Sequence, residues 1–235
     1  MSAGILHKQL PAFVSDIWSI QNMIIDQNIT TYIHSLAKDN PQAIEQIRRA
    51  AEDEGIPIIR REMESFLRTL LRIKAPQSIL EIGAGVGYSA LFMATNTPSY
   101  CHITTIENYP PRIEKAKKNI EQTGMKGRVT LIADDAAKVI AGLDGGYDFI
   151  FLDSAKGQYM DMLPHILRLL DKDGLLLADN VLQDGSLVRS RFAHARRQRT
   201  IHKRMRDFVW TVMHCDELES TLITIGDGVT LSCKK

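Results

Sequence analysis

Residues 78–89 constrain the fold of this 235-residue chain most strongly, because a short apolar run there ends in three closely spaced glycines. Ile79, Leu80 and Ile82 predict a buried strand, and an apolar helical pattern begins directly after Gly87. A strand, a glycine turn and a helix in this order are typical of an open α/β sheet, in which ligands bind beyond the carboxyl ends of the strands. We therefore expect a ligand site at this turn.

The spacing of the glycines indicates what kind of ligand the turn would bind. A dinucleotide fingerprint reads G-x-G-x-x-G, but Tyr88 occupies the position of the third glycine. The stretch instead reads acid-x-G-x-G-x-G, with Glu81 in the strand and Gly83, Gly85 and Gly87 after it. A pyrophosphate favours a bare helix N-terminus, whereas a sulfonium cofactor with an amino acid tail can use a nearby carboxylate.

An acidic residue also follows the next apolar run. Glu107 ends the run that begins at Ile103, where a carboxylate would bind ribose hydroxyls. The alternative is a tight turn that binds nothing, but the glycines and the acid then occur together for no reason. These residues resemble motif I of the S-adenosylmethionine-dependent class I methyltransferases.

The rest of the chain alternates predicted strands and helices. We expect strands near 102–107, 129–133, 147–152 and 174–178, and helices at 61–71 and 111–123, which together predict a parallel sheet. The runs 221–225 and 229–233 flank Gly226-Asp227-Gly228 and predict an antiparallel hairpin. That edge is similar to the Rossmann-like class I methyltransferase fold, an α/β fold with a mostly parallel seven-stranded sheet and a C-terminal antiparallel hairpin.

The chain before the sheet predicts an N-terminal helical extension. Apolar residues recur at helical spacing from about residue 11 to 36, and a second helix is expected through Ala51 after the break at Asn40-Pro41. We predict one methyltransferase domain over 1–235, with an extension at 1–60 and a catalytic core at 61–235. The pattern leaves three roles open for the extension: a cover for the cofactor, a dimer surface, or packing.

Acidic and amide side chains follow two of the predicted strands. Asp153 comes after the strand at 147–152, and Asp179 and Asn180 come after the strand at 174–178. Neighbouring parallel strands would bring these oxygen ligands to one rim of the sheet, where they suit Mg²⁺. Helix capping is the alternative role for such residues. Lys156 lies three residues after Asp153, and we expect it to act as a general base. The nearby cation would lower the pKa of its amine.

The stretch Asp153-Ser-Ala-Lys-Gly-Gln-Tyr159, taken with Asp179-Asn180, resembles the cation-dependent O-methyltransferase family, which includes the catechol and caffeoyl-coenzyme A enzymes. The resemblance implies a divalent cation on Asp153, Asp179 and Asn180, with Lys156 as the catalytic base. It also implies a set of residues that bind S-adenosylmethionine: Ile58, Glu81, Gly83, Gly85, Gly87, Tyr88, Ser89, Glu107, Asp135 and Asp153. Asp134 replaces a glycine that family members commonly have beside Asp135.

A basic stretch without any acid runs from Arg189 to Arg206. On a helical wheel its cations share one face, and this face includes Arg189, Arg196, Arg197, Arg199, Lys203 and Arg204. The opposite face carries Leu187, Ile201, Met205, Phe208 and Val212. The pattern predicts a helix near the mouth of the site whose basic face could bind a phosphate backbone. An ordinary solvated helix face is the alternative.

The basic stretch, the loop at 153–159 and the Gly226-Asp227-Gly228 tail together resemble the bacterial tRNA 5-hydroxyuridine methyltransferase branch. This resemblance implies that tRNA is the partner and that the wobble base is methylated to 5-methoxyuridine. Two other functions stay open. One is a methyltransferase of small catechol-type molecules, and the other is a nucleic-acid-binding module that kept the fold without catalysis.

Composition narrows the class further. A net charge of +1 argues against a polyelectrolyte, and 44% hydrophobic with 24% charged residues is typical of a globular protein. Three scattered cysteines predict a reduced, cytoplasmic protein. We expect neither a membrane span nor a signal peptide. The family resemblance suggests a homodimer, with the N-terminal helices as candidates for its surface.

Overall fold

The computed structural model describes residues 26–183, 185–190 and 198–235, and its centre is a seven-stranded sheet in the order β3-β2-β1-β4-β5-β7-β6. The strands are β1 (Ser78–Ile82), β2 (His102–Glu107), β3 (Val129–Ala133), β4 (Tyr147–Leu152), β5 (Leu170–Ala178), β6 (Leu218–Ile223) and β7 (Val229–Lys234). Strands β1 to β5 pair in parallel, whereas β7 pairs antiparallel with both β5 and β6. The predicted parallel sheet with an antiparallel hairpin is confirmed.

Helices cover both faces of the sheet. They are α1 (Gln27–Ser35), α2 (Gln42–Asp53), α3 (Arg61–Lys74), α4 (Tyr88–Thr95), α5 (Pro110–Gln122), α6 (Ala136–Gly142), α7 (Tyr159–Leu169) and α8 (Arg199–Met213). Within the described residues, no helix combines the length and the apolar character that a membrane span requires. Cys101, Cys215 and Cys233 all carry free thiols.

The alternation of side chains along the strands divides the core into two layers. Ile79 and Phe149 pack with residues of α2, α3 and α4 in one cluster. Leu80 and Ile150 point to the other face and pack with residues of α6, α7 and α8. Successive strand residues face opposite sides, so a sheet covered on both faces needs the continuous apolar runs that this chain has.

Two strand boundaries lie earlier than the sequence predicts. β5 begins at Leu170 rather than near residue 174, and the pairing shifts register between Tyr147–Leu170 and Phe149–Leu175. An irregular pairing of this kind leaves no periodic signal in the sequence. β6 begins at Leu218 rather than at residue 221, because it pairs with β7 as far as Lys234.

The predicted N-terminal extension is helical where the structure describes it. Asp26 caps α1 by accepting hydrogen bonds from the backbone of Asn28 and Ile29. The predicted break at Asn40-Pro41 separates α1 from α2. The part of the first predicted helix that precedes residue 26 lies outside the described residues.

The predicted basic helix is shorter than the cation pattern indicated. Residues 186–188 form a single 3₁₀ turn, and Arg189 has extended backbone angles, so Arg189 does not share a helix with Lys203. Arg196 and Arg197 lie outside the described residues. Ile201, which the helical wheel places on the apolar face with Met205 and Phe208, is not buried with them, since it is 42% exposed. A helical wheel gives the angle of a residue but not the point at which the helix meets the sheet.

Candidate functional site

A cavity of about 540 Å³ opens at the carboxyl ends of β1, β2, β4 and β5. The register of the sheet places Leu152 beside both Ile82 and Ala178, so the residues that follow these three strands meet at one rim. Ten predicted site residues line the cavity: Ile58, Gly83, Gly85, Tyr88, Ser89, Glu107, Asp153, Lys156, Asp179 and Asn180. The sheet thus gathers residues that are up to 122 positions apart in the sequence, from Ile58 to Asn180.

The three glycines of the turn have different roles. A Cβ at Gly83 would lie 1.9 Å from the carbonyl oxygen of Asp153, so this glycine lets the ends of β1 and β4 approach each other. Gly85 has a φ of +54° and faces open space. Gly87 packs against Ala116 of α5 rather than against a ligand. Gly83 and Gly85 therefore line the cavity as the sequence motif suggested, whereas Gly87 serves the packing of α4 against α5.

Glu107 is oriented by backbone amides at the end of β2. One carboxylate oxygen accepts a 2.8 Å hydrogen bond from the amide of Gly85. The other accepts 3.0 Å hydrogen bonds from the amides of Asn108 and Tyr109. The carboxylate is thus fixed against the glycine turn at the wall of the cavity, where it could still accept hydrogen bonds from ribose hydroxyls.

Two other predicted cofactor residues lie behind the cavity wall. Glu81 is fully buried within β1, where burial raises its pKa to about 7 against the opposing effect of hydrogen bonds from Ser89 and Thr105. Asp135 caps helix α6 by accepting a hydrogen bond from the amide of Lys138, while its neighbour Asp134 lines the cavity. The sequence motif could not separate adjacent positions that face opposite ways.

The amine of Lys156 lies at the rim of the cavity and contacts the carboxylate of Asp153, the predicted metal ligand. It donates a 3.0 Å hydrogen bond to Asp153 and a 3.1 Å hydrogen bond to the hydroxyl of Tyr159. Tyr159 is fully buried, and its hydroxyl lies 3.1 Å from the carbonyl oxygen of Leu152 and 3.2 Å from that of Asp179. The tyrosine therefore fixes the lysine amine between the ends of β4 and β5.

Two carboxylates share this rim. Asp179 is 4% exposed, and burial together with the negative charge of Asp153 raises its pKa to about 7. Within the described residues no three His, Cys, Asp or Glu side chains cluster as a metal site, so the amide oxygen of Asn180 would have to supply the third ligand. A divalent cation would offset the repulsion between the carboxylates, and an oxygen-only set is what Mg²⁺ prefers. The residues present fit such an ion.

An ion pair at the mouth of the cavity was not predicted from the sequence. Arg60, which follows the extended apolar segment 56–59, pairs at 2.7 Å with Asp227 in the turn of the C-terminal hairpin, and both residues line the cavity. The sequence predicted a turn at Gly226-Asp227-Gly228 but no partner for Asp227. The signal in the sequence that could have indicated a site residue here is Asp227 itself, an acid between two glycines directly after a predicted strand.

Two cations of α8, Lys203 and Arg204, have acidic partners that the sequence pattern did not reveal. Arg204 donates a 2.6 Å hydrogen bond to the carbonyl oxygen of Gly157 and also pairs with Asp161 at 3.2 Å. Lys203 pairs with Asp207 at 2.8 Å. These two ion pairs reduce the positive charge that Lys203 and Arg204 contribute to the basic face. Arg204 nevertheless joins α8 to the loop that carries Lys156, which places this helix beside the rim of the cavity.

Comparison with known proteins identifies the family. Residues 34–235 match the family described as O-methyltransferase, and this chain belongs to that family. A catechol O-methyltransferase of Niastella koreensis is 29% identical over 173 residues, which cover 71% of this chain and 78% of that protein. A caffeoyl-CoA O-methyltransferase of Zea mays is 29% identical over 180 residues, which cover 72% and 68% of the two chains.

Solved structures agree with this family. A Staphylococcus aureus protein provisionally named a caffeoyl-CoA O-methyltransferase superposes with a TM-score of 0.83 at 28% identity, over 89% of this chain and all of that one. A methyltransferase of Podospora anserina, solved with S-adenosylhomocysteine bound, has the same fold, with a TM-score of 0.79 at 24% identity over the whole of both chains. The protein is an S-adenosylmethionine-dependent O-methyltransferase.

Proposed function

We propose that this enzyme uses a divalent cation to methylate a hydroxyl that has a second oxygen beside it. The observation that carries the proposal is the position of the Lys156 amine, which lies 3.0 Å from Asp153 on the rim that Asp179 shares. A base, two carboxylates and an amide at one end of a polar cavity can bind and deprotonate a pair of neighbouring oxygens.

Each part of the site has one task in this reaction. S-adenosylmethionine supplies an electrophilic methyl group. Asp153, Asp179 and Asn180 would hold a divalent ion, which would supply positive charge that favours the deprotonated hydroxyl. The amine of Lys156 accepts the hydroxyl proton, and Tyr159 keeps that amine in place. Glu107 and the glycine turn orient the cofactor, so that orientation contributes much of the rate.

The substrate that we propose is 5-hydroxyuridine at the wobble position of tRNA. Its 5-hydroxyl and 4-carbonyl oxygens are neighbours, as in a catechol. An anticodon base is unpaired and can be splayed into a cavity, whereas a paired base cannot. The support from this chain is the position of α8 beside the cavity. Arg204 contacts the loop that carries Lys156, and Lys203 and Arg206 are exposed on the same helix. This function would place the enzyme in the cytoplasm, with tRNA as its partner.

A second candidate is the methylation of small catechol-type molecules. The specific observation in its favour is that the relatives described above are named catechol and caffeoyl-CoA O-methyltransferases. The ion pairs of Lys203 and Arg204 agree with a helix face that merely contacts solvent. The two candidates share the catalytic rim and differ only in what surrounds the mouth of the cavity.

Methyl transfer to tRNA that lacks 5-methoxyuridine, compared with transfer to simple catechols, separates the two candidates. We expect the tRNA to be methylated at the wobble base with the higher kcat/KM. Charge reversal at Lys203 and Arg206 should raise the KM for tRNA about 10-fold or more and leave transfer to a catechol unchanged, because only the polyanion depends on phosphate contacts.

The matched control reverses the charge of Lys117 and Lys118, two exposed lysines on α5. If this control weakens tRNA methylation as much as the α8 variant does, α8 has no special role. If catechols are methylated and the tRNA is not, the small-molecule candidate replaces the proposal.

A further inference from the structure

A buried arginine of the N-terminal extension holds one wall of the cofactor cavity. Residues 56–60, here called the strap, connect α2 to α3, and residues 57–60 line the cavity. We propose that Arg48 of α2 is a positioning residue for S-adenosylmethionine, acting through the strap and through the start of α4. The side chain of Arg48 is buried, and it belongs to the extension for which the sequence left three roles open.

The guanidinium group of Arg48 joins three elements. One nitrogen donates a 2.7 Å hydrogen bond to the carbonyl oxygen of Ile59 in the strap. Another donates a 3.0 Å hydrogen bond to the hydroxyl of Tyr88, the first residue of α4. The same group pairs with Glu64 of α3, whose carboxylate accepts a 2.5 Å hydrogen bond from the Tyr88 hydroxyl. Glu64 and Tyr88 are themselves buried, so this network is shielded from water.

Two of the elements that Arg48 joins, the strap and the start of α4, line the cavity. Ile58 and Ile59 contribute the strap wall, while Tyr88 and Ser89 follow the glycine turn at the end of β1. A guanidinium presents several donors in one rigid plane, so it can fix the separation between two such walls. Without it, the cofactor would have to order the strap on binding, which costs conformational entropy and lowers affinity.

The inference concerns the cofactor half of the cavity alone. It rests on membership of the methyltransferase family and not on the substrate or the metal proposed above. Binding of S-adenosylhomocysteine without metal or substrate therefore tests it, and failure of the tRNA proposal would leave that result unaffected.

The experiment measures the affinity for S-adenosylhomocysteine by titration calorimetry for the wild-type protein and for Arg48→Lys. A lysine keeps the positive charge beside Glu64, but it lacks the separate nitrogen donors with which the guanidinium reaches Ile59 and Tyr88. We expect Kd to rise about 10-fold, the order expected for the loss of one charged hydrogen bond. We also expect faster amide hydrogen exchange at residues 58–60 in the unliganded variant.

Arg128→Lys is the matched control. Arg128 donates hydrogen bonds to the carbonyl oxygens of Pro98 and Cys101, at the amino ends of the strands and thus at the edge of the sheet away from the cavity. This variant should bind S-adenosylhomocysteine as the wild type does. Equal weakening in Arg48→Lys and Arg128→Lys would mean general destabilisation and would overturn the assignment.

Tyr88→Phe is a second probe in case Arg48→Lys does not fold, as judged by circular dichroism. It removes one hydroxyl from the network and keeps the ring, so we expect Kd to rise a few-fold and exchange in the strap to become faster. Unchanged affinity and unchanged exchange in the folded variants would show that the walls hold their positions without Arg48, contrary to the proposal.

Discussion

Lys156, the proposed base, and Tyr159 form a hydrogen-bonded pair in which the tyrosine holds the lysine amine in place. The lysine amine contacts Asp153 at 3.0 Å and the buried tyrosine hydroxyl at 3.1 Å. Burial raises the pKa of Tyr159 well above its usual value, so the hydroxyl stays neutral and can both accept from the lysine and donate to a carbonyl oxygen. A lysine held in this way needs little reorganisation to take up a proton.

We predict that Lys156→Ala lowers kcat by about 100-fold or more, the usual contribution of a positioned general base. Tyr159→Phe keeps the base and loses only its anchor, so kcat should fall about 10-fold, less than for the lysine variant. The measurement is kcat at saturating substrate, with S-adenosylhomocysteine affinity as the control that should stay constant in both variants. A Lys156→Ala enzyme with wild-type kcat would exclude the lysine as base.

The sequence was sufficient to predict which residues lie at the rim of the cavity, but not which contacts they make. Asp153 and Asp179 could be predicted because each directly follows an apolar run. A polar residue at the end of a predicted strand can be recognised from its neighbours in the sequence alone. The pairing of Arg60 with Asp227 joins positions 167 residues apart, and no local pattern reports such a contact. Tyr88 was expected at the cofactor, but its hydroxyl lies in the network of Arg48 and Glu64.

At the scale of elements, α2 and α3 are joined by a charged pair beside the strap. Arg61 donates two 2.7 Å hydrogen bonds to the carboxylate of Glu45, which largely explains why the pKa of Glu45 is lowered to about 2. A carboxyl with a lowered pKa stabilises the folded state above its unfolded pKa of about 4.5, and this contribution is lost as the pH falls towards 2.

We therefore predict that Glu45→Gln lowers the free energy of unfolding by about 1–2 kcal/mol at pH 7, less than the full pKa shift implies because solvent screens the pair. The difference between variant and wild type should shrink below pH 4.5, as urea denaturation at pH 7 and at pH 3 would show. Glu114→Gln, on an exposed pair with Lys117, is the control and should change little at either pH. An equal loss for Glu45→Gln at both pH values would contradict this account.

For helix α8, the sequence predicts the buried face but not the residue at which the helix begins. Met205, Phe208 and Val212 were placed correctly on the inner face of α8, because a repeat of three and four residues specifies one side of a helix. Arg189 was placed on the same helix although it has extended backbone angles. A run of like charges carries no information about where a helix begins.

At the scale of the whole molecule, α1 and the residue that follows it present apolar side chains at an exposed surface. The helix has no buried residue: Ile29 and Tyr32 are 54% and 66% exposed, and Leu36, directly after its last residue, is 64% exposed. Apolar side chains at a spacing of three and four residues on an exposed face are typical of a surface that another chain covers. We propose that a second copy of this chain covers it.

We predict that Tyr32→Glu with Leu36→Glu converts a dimer into a monomer in sedimentation equilibrium, because two buried charges would oppose the interface. Tyr100→Glu is the matched control, since Tyr100 is 64% exposed in the turn before β2. A wild-type protein that sediments as a monomer at all concentrations tested would refute the dimer.

The most direct test of the central claim is the initial rate of methyl transfer to the preferred substrate after treatment with EDTA and during readdition of Mg²⁺. Because Asp153, Asp179 and Asn180 are proposed to bind the ion that holds two substrate oxygens, we expect a rate near background in EDTA and saturable recovery with Mg²⁺. Full turnover in EDTA would contradict the account and leave the carboxylates of the rim without their proposed role.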